Sequence, residues 1–178
     1  TGGLRYTHAE LGGEGEDVDA LLAFTEIGRA VTANRKEQDL LPSASLLANL
    51  GRNVTFYARY QEGFRPGGLS IDGNFVQRFR NDHVSTYDAG MRFGRKGVTP
   101  FDATISISHS RWRDIQADYI DTNGFPTTAN IGDGKITSIS ASIAARPLTG
   151  LSLELGAVYN QSRVTQLSSE LPLASVTF

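Results

Sequence analysis

The densest recognition chemistry in this sequence lies between residues 65 and 83, where Arg65, Arg78 and Arg80 stand with Phe75 and Phe79. Guanidinium groups take carboxylate, catecholate or phosphate oxygens in charge-assisted hydrogen bonds, and aromatic rings stack on flat groups. That mixture suits an anionic, partly planar small ligand, so these five are the candidate ligand-binding residues. The bland alternative for the same arginines is a solvated loop, or a contact with lipopolysaccharide phosphates. Catalysis finds no comparable constellation. His8, His83 and His109 lie far apart, without a metal-ligand spacing to one another or to carboxylates. No Gly-x-Ser-x-Gly elbow presents a nucleophile, and no glycine-rich loop carries the lysine of a phosphate cradle. Asp121, Asn123, Asp133 and Gly134 resemble pieces of a calcium loop, but their spacing fails and hairpin turn chemistry accounts for them. No catalytic residue, metal site or cofactor is expected.

The elements that position these groups must come from a chain of 178 residues, 39% hydrophobic and 20% charged, long enough for one ordinary domain. Lys plus Arg number 17 against 19 for Asp plus Glu, and this balance offers no basic surplus for nucleic acid. With no cysteine, disulfides and thiolate chemistry are excluded and the compartment stays open. The longest apolar run, at 20–24, is far short of the roughly 20 residues of a membrane-crossing helix, and no signal-like segment is read at the front. A barrel strand is not excluded by this, because it hides its lipid-facing residues in alternate positions.

From residue 40 onward the dominant period is two, the repeat of a strand with two unlike faces. Val54, Phe56, Ala58 and Tyr60 alternate with Thr55, Tyr57, Arg59 and Gln61. Tyr87, Ala89, Met91 and Phe93 alternate with Asp88, Gly90 and Arg92, and Phe101, Ala103, Ile105 and Ile107 with Asp102, Thr104, Ser106 and Ser108. Residues 137–145 and 151–160 repeat the split, 40–50 show a weaker form, and Leu4, Tyr6 and His8 a doubtful one. The expectation is an all-β, antiparallel up-and-down meander of about seven strands.

The connections alternate in length. Those at 50–53, 94–100 and 146–150 are short and carry Gly or Pro, whereas 12–39, 65–83 and roughly 120–134 are long, polar and rich in charge. Short turns at one end and long loops at the other are the habit of a transmembrane barrel. The polar parity then faces a hydrated lumen, where Arg59, Asp88 and Arg92 are candidates, with a strand-to-strand ion pair as their alternative role. The apolar parity meets lipid. From Leu151 to Tyr159 a strand covers about 26 Å, or roughly 20 Å of height at barrel tilt, near the required apolar band. Tyr60, Phe93, Phe101, Trp112 and Tyr159 are the expected membrane-interface aromatics.

Two stretches resist. The face that begins at Phe101 reaches His109, Arg111 and Arg113 after four apolar positions, so this strand either changes parity at a bulge near 108–110 or continues above the membrane. Residues 13–31, with Val18, Leu21 and Leu22, fit a short helix as well as a loop.

The segments Tyr57-Ala58-Arg59-Tyr60-Gln61-Glu62-Gly63-Phe64-Arg65-Pro66-Gly67-Gly68, Trp112-Arg113-Asp114-Ile115-Gln116 and Asn130-Ile131-Gly132-Asp133 resemble the C-terminal barrel of TonB-dependent outer-membrane receptors. So do Leu41-Pro42-Ser43-Ala44 and the turn Ala145-Arg146-Pro147-Leu148-Thr149-Gly150-Leu151. The order and spacing match along most of residues 40–165. The resemblance implies a bacterial outer-membrane location and energised uptake of a scarce ligand, most commonly a ferric siderophore. It also implies lipid and lipopolysaccharide as surroundings, and TonB as a partner acting through an N-terminal plug. No plug or TonB box is found in residues 1–178, the strands are too few to close such a barrel, and 170–178 read as the start of another strand, so a partial barrel is expected. The rivals are a passive porin-like barrel and a soluble β-sandwich that binds carbohydrate. The isolated segment, with two open sheet edges, is expected to be poorly soluble without detergent.

Overall fold

The structure is a computed structural model that describes residues 1–11, 35–72, 75–120, 124 and 126–168. The strands are β1 (Gly2–Leu11), β2 (Arg35–Asn49), β3 (Val54–Arg65), β4 (Gly68–Asp72), β5 (Phe75–Phe79), β6 (Asp82–Phe93), β7 (Phe101–Ile120), β8 (Pro126–Leu148) and β9 (Leu151–Leu167). Seven of them make one antiparallel sheet in the order β1-β2-β3-β6-β7-β8-β9, while β4 and β5 form a separate hairpin between β3 and β6. The all-β meander expected from the alternation is therefore what forms, and the doubtful strand around Leu4, Tyr6 and His8 is β1, paired along its length with β2.

Register converts the alternation into continuous faces, because residues directly opposite each other share a side of the sheet. One row runs Leu46, Ala58, Ala89, Ile107, Ile139 and Tyr159, and another Ala48, Phe56, Met91, Ile105, Ala141 and Ala157. This face is open: Leu155 is 73% exposed, Leu46 59% and Ile105 52%. Among the described residues only Leu41, Ala129 and Ala144 are buried apolar side chains. A sandwich would cover such a face with a second sheet, and none of the described elements does so.

Among the described residues no helix is long and apolar enough to cross a membrane. The short connections are tight turns. Gly94 leaves β6 with φ 77°, and a Cβ there would stand 2.7 Å from Thr99 Oγ1 and 3.0 Å from Asp102 Cα, so glycine is required on both counts.

Three features differ from the sequence-based expectation. Residues 65–83 are not a plain loop but hold the β4–β5 hairpin, whose strands are too short for periodicity to reveal. The connection expected at 120–134 shrinks to 121–125, because β7 and β8 extend as a ladder to the pair Ile120 and Pro126. The register of β7 runs unbroken from Phe101 to Trp112, so no bulge lies near 108–110; the shift comes between Trp112 and Gln116, where Asp114 takes φ 50°. The short helix considered at 13–31, together with Asp121, Asn123 and 170–178, lies outside the described residues.

Candidate functional site

At the end of the sheet with the long connections, β3 stops at Arg65 because Pro66 has no amide to continue the ladder. Arg65 and Asp82 form the last register pair of β3 and β6. The guanidinium donates to one carboxylate oxygen from Nη2 at 2.7 Å and Nε at 3.1 Å, and Nη2 also reaches the Gln116 carbonyl at 2.9 Å. Gln116 returns the contact: its Nε2 donates to the carbonyls of Arg65, Pro66 and Arg80 at 3.3, 3.0 and 3.0 Å. Asn130 holds the backbone of Arg80 from the other side. Glu37 accepts the Gly67 N–H at 3.0 Å, and Ser70 binds the Thr127 hydroxyl at 2.5 Å and the Thr128 N–H at 2.7 Å.

Glu37, Asp82, Gln116, Thr127 and Asn130 are the buried polar residues among those described, and all belong to this knot. Buried polar groups are affordable only when satisfied, and a fully bonded network is stiff. The β4–β5 hairpin is thereby fixed to β2, β7 and β8 rather than left as a free loop. Nearby, His83 Nδ1 lies 3.2 Å from Asp39 Oδ2, an ion-pair distance without hydrogen-bond alignment. At the far end of β1, the Lys36 ammonium and then His8 hold the exposed Glu10 carboxyl below the usual carboxylate range.

The structure separates the five expected ligand residues. Arg65 is a tie between β3, β6 and β7. Arg80 lies 3.2 Å from Asp114 and remains half exposed. Arg78 and Phe79 leave β5 on opposite sides, as adjacent strand residues must. Phe79 lies over Gly68, where an added Cβ would come within 2.6 Å of the ring. Arg78 is exposed. Phe75 is placed on β5 by its backbone alone. Gln116, Asn130 and Glu37, which hold the site together, carried no signal of that role beyond lying within or near the family-like segments.

On the polar face, Arg59 donates to one Asp88 oxygen from Nε at 3.1 Å and Nη2 at 2.7 Å, across directly paired positions of β3 and β6. Arg92 sits on the same face opposite Thr55 and Thr104. Hydroxyl pairs line this side, Thr86 with Ser110 at 3.0 Å and Ser106 with Ser140 at 2.7 Å. On the apolar face Tyr60 packs on Tyr87 with ring centroids 4.9 Å apart, and Phe93 on Phe101 at 5.9 Å, near opposite ends of the band. Tyr159 is on this face too, opposite Ile139. Trp112, expected with these aromatics, is corrected by the register: it follows Ser106, Ser108 and Ser110 in parity and so lies on the polar face. The sequence alone places it near a strand end, whereas β7 runs on to Ile120 and only the register gives its side.

Comparison with known proteins agrees with this geometry. A family model described as TonB dependent receptor-like, beta-barrel matches residues 1–175. The ferric-pyoverdine M114 receptor PbuA of Pseudomonas sp. strain M114 is 26% identical over 157 residues, which is 84% of this chain and 18% of that protein. Among solved structures, the ferric yersiniabactin uptake receptor FyuA from Yersinia pestis superposes with a TM-score of 0.61 at 18% identity, over 75% of this chain and 20% of that one. BauA, the ferric preacinetobactin receptor from Acinetobacter baumannii, gives 0.55 at 20% identity, over 77% and 20%. The chain spans about a fifth of the length of these relatives.

Proposed function

Because the chain belongs to the family of TonB-dependent receptor β-barrels, we propose that it forms part of the wall of an outer-membrane receptor that imports a ferric siderophore with energy delivered through TonB. The observation that carries this reading is the uncovered apolar band, continuous across adjacent strands and backed by a hydroxyl- and charge-lined opposite face. Such a sheet fits lipid on one side and water on the other. In this reading Arg59, Asp88 and Arg92 face the lumen, and the fixed hairpin with Arg78 and Arg80 stands on the outside. The relatives PbuA, FyuA and BauA are receptors for ferric chelates, which supports a ferric chelate as the cargo class.

The test is uptake by whole cells. Deleting the gene that carries this chain should abolish saturable import of radioactive iron supplied on one ferric chelate of a panel, and loss of TonB should do the same. Import that persists without TonB would assign a passive barrel instead.

A further inference from the structure

Three cations stand side by side on the apolar face of the sheet. Arg111 of β7 is directly opposite Lys135 of β8, and Lys135 is directly opposite Arg163 of β9. The registers run without a shift from this row down to Ile107, Ile139 and Tyr159, so the cations share the side of the apolar band. Arg113, two residues further along β7 on the unbroken β6–β7 register, keeps the same parity. All four side chains are exposed. Among the described residues none of the four takes part in an ion pair. The one acid in the row is Glu62 of β3, beyond Ser85, and it already accepts from the hydroxyls of Tyr60 and Ser85.

Like charges directly across a strand pair repel. A row of three therefore calls for a counter-charge that the described residues do not provide. Its height identifies the source. From Phe101 to Arg111 the strand rises about 33 Å, or roughly 25 Å along the membrane normal at a tilt of about 40°, which is the thickness of the apolar band. The cations emerge at headgroup level on the long-connection side, one polar row (His109, Thr137 and Gln161) above the greasy surface of Ile107, Ile139 and Tyr159, with long stems that let the charges reach upward.

We propose that Arg111, Lys135 and Arg163 bind the phosphorylated headgroup of a membrane lipid whose acyl chains lie over Ile107, Ile139 and Tyr159. Two neighbouring cations fork onto one phosphate and the third, about 10 Å from the first, meets a second phosphate or the same one from the side. The inference rests on the proposed lipid-facing role of this face, but not on the identity of the cargo.

The experiment uses the full-length protein in phosphatidylcholine nanodiscs doped with either bisphosphorylated lipid A or its dephosphorylated form, and counts co-purifying lipid by native mass spectrometry. The wild type should retain the phosphorylated form about tenfold over the other. The triple variant Arg111→Gln/Lys135→Gln/Arg163→Gln should lose that preference, and Arg111→Lys/Arg163→Lys should keep it, with folding of each confirmed by its heat-modifiable gel mobility. A triple variant that retains lipid A as the wild type does overturns the proposal. Competition by millimolar inorganic phosphate that is equally effective with or without acyl chains would point to a free anion and overturn the lipid assignment. A wild type that inserts but shows no preference sinks this inference alone; failure to insert at all removes the barrel reading with it.

Discussion

Asn130 on β8 holds both backbone polar groups of Arg80: its Oδ1 accepts the Arg80 N–H at 2.5 Å, and its Nδ2 donates to the Arg80 carbonyl at 2.9 Å. The side-chain amide does for one residue what a neighbouring strand does for a ladder. It also donates to the Asp114 carbonyl at 2.6 Å and is 2% exposed. Asn130→Ala should leave these buried groups unpaired at about 1–3 kcal/mol apiece. Hydrogen exchange across β4, β5 and residues 80–82 should then accelerate strongly, with the lower parts of β6 to β9 unchanged. Asn130→Asp should behave no better than alanine, since a carboxylate cannot donate to two carbonyls. Wild-type exchange in both variants would show that the hairpin is held by other contacts.

This fastening could not be read from the sequence, although the sheet could. A face in contact with lipid needs an apolar residue at every second position, so alternation betrays strand and side together. Gln116 and Asn130 are ordinary polar letters until the fold presents carbonyls that lie 36 to 51 residues away in the chain. Three of the family-like segments, 57–68, 112–116 and 130–133, do converge on this knot; the resemblance marked the place without explaining it. Trp112 was misplaced for a related reason, since only unbroken register fixes the side of a strand on which a residue lies. Arg111 was legible as an anomaly with two explanations, a bulge or a strand that continues above the membrane; the unbroken register removes the bulge and makes Arg111 one member of a cationic row.

Close approach should make Gly90 intolerant of any side chain. A Cβ there would fall 2.5 Å from Tyr57 Cε1 and 2.7 Å from its hydroxyl oxygen, because the Tyr57 ring lies across the directly opposite glycine. Gly90→Val should lower barrel stability by about 1–3 kcal/mol through displacement of the ring. Tyr57→Ala combined with Gly90→Val should recover most of that loss. Non-additivity is the required result in thermal unfolding of the full-length protein in detergent, and a simply additive double variant would contradict the contact.

The Arg59–Asp88 pair should matter little for stability. Its geometry is good, but the Arg59 side chain is 53% exposed against 15% for Asp88, and such pairs contribute about 0.2–1 kcal/mol. Asp88→Asn should shift unfolding only slightly, and the shift should shrink further in high salt. A reversed pair, Arg59→Asp with Asp88→Arg, should restore the wild-type value. A loss well beyond this range would mean that the two residues also organise something else on the polar face.

Arg65 and Arg78 should separate structural from ligand-binding arginines. Arg65 serves an Asp82 carboxylate that is only 5% exposed, so Arg65→Ala should cost about 1–3 kcal/mol or more by leaving that charge unpaired, and should loosen the hairpin. Arg78 is exposed on the fixed hairpin and has no ion pair among the described residues. If the proposed cargo is right, Arg78→Ala should leave unfolding unchanged yet raise Kd for a ferric chelate about tenfold, the loss of one charge-assisted hydrogen bond. Arg78→Lys should recover part of it, since the charge returns without the planar fork. The measurement is chelate binding to intact cells alongside thermal unfolding of the purified receptor. Unchanged binding in Arg78→Ala would return this arginine to the role of a solvated loop residue and move the search for ligand contacts to Arg80 and the polar face around Arg92.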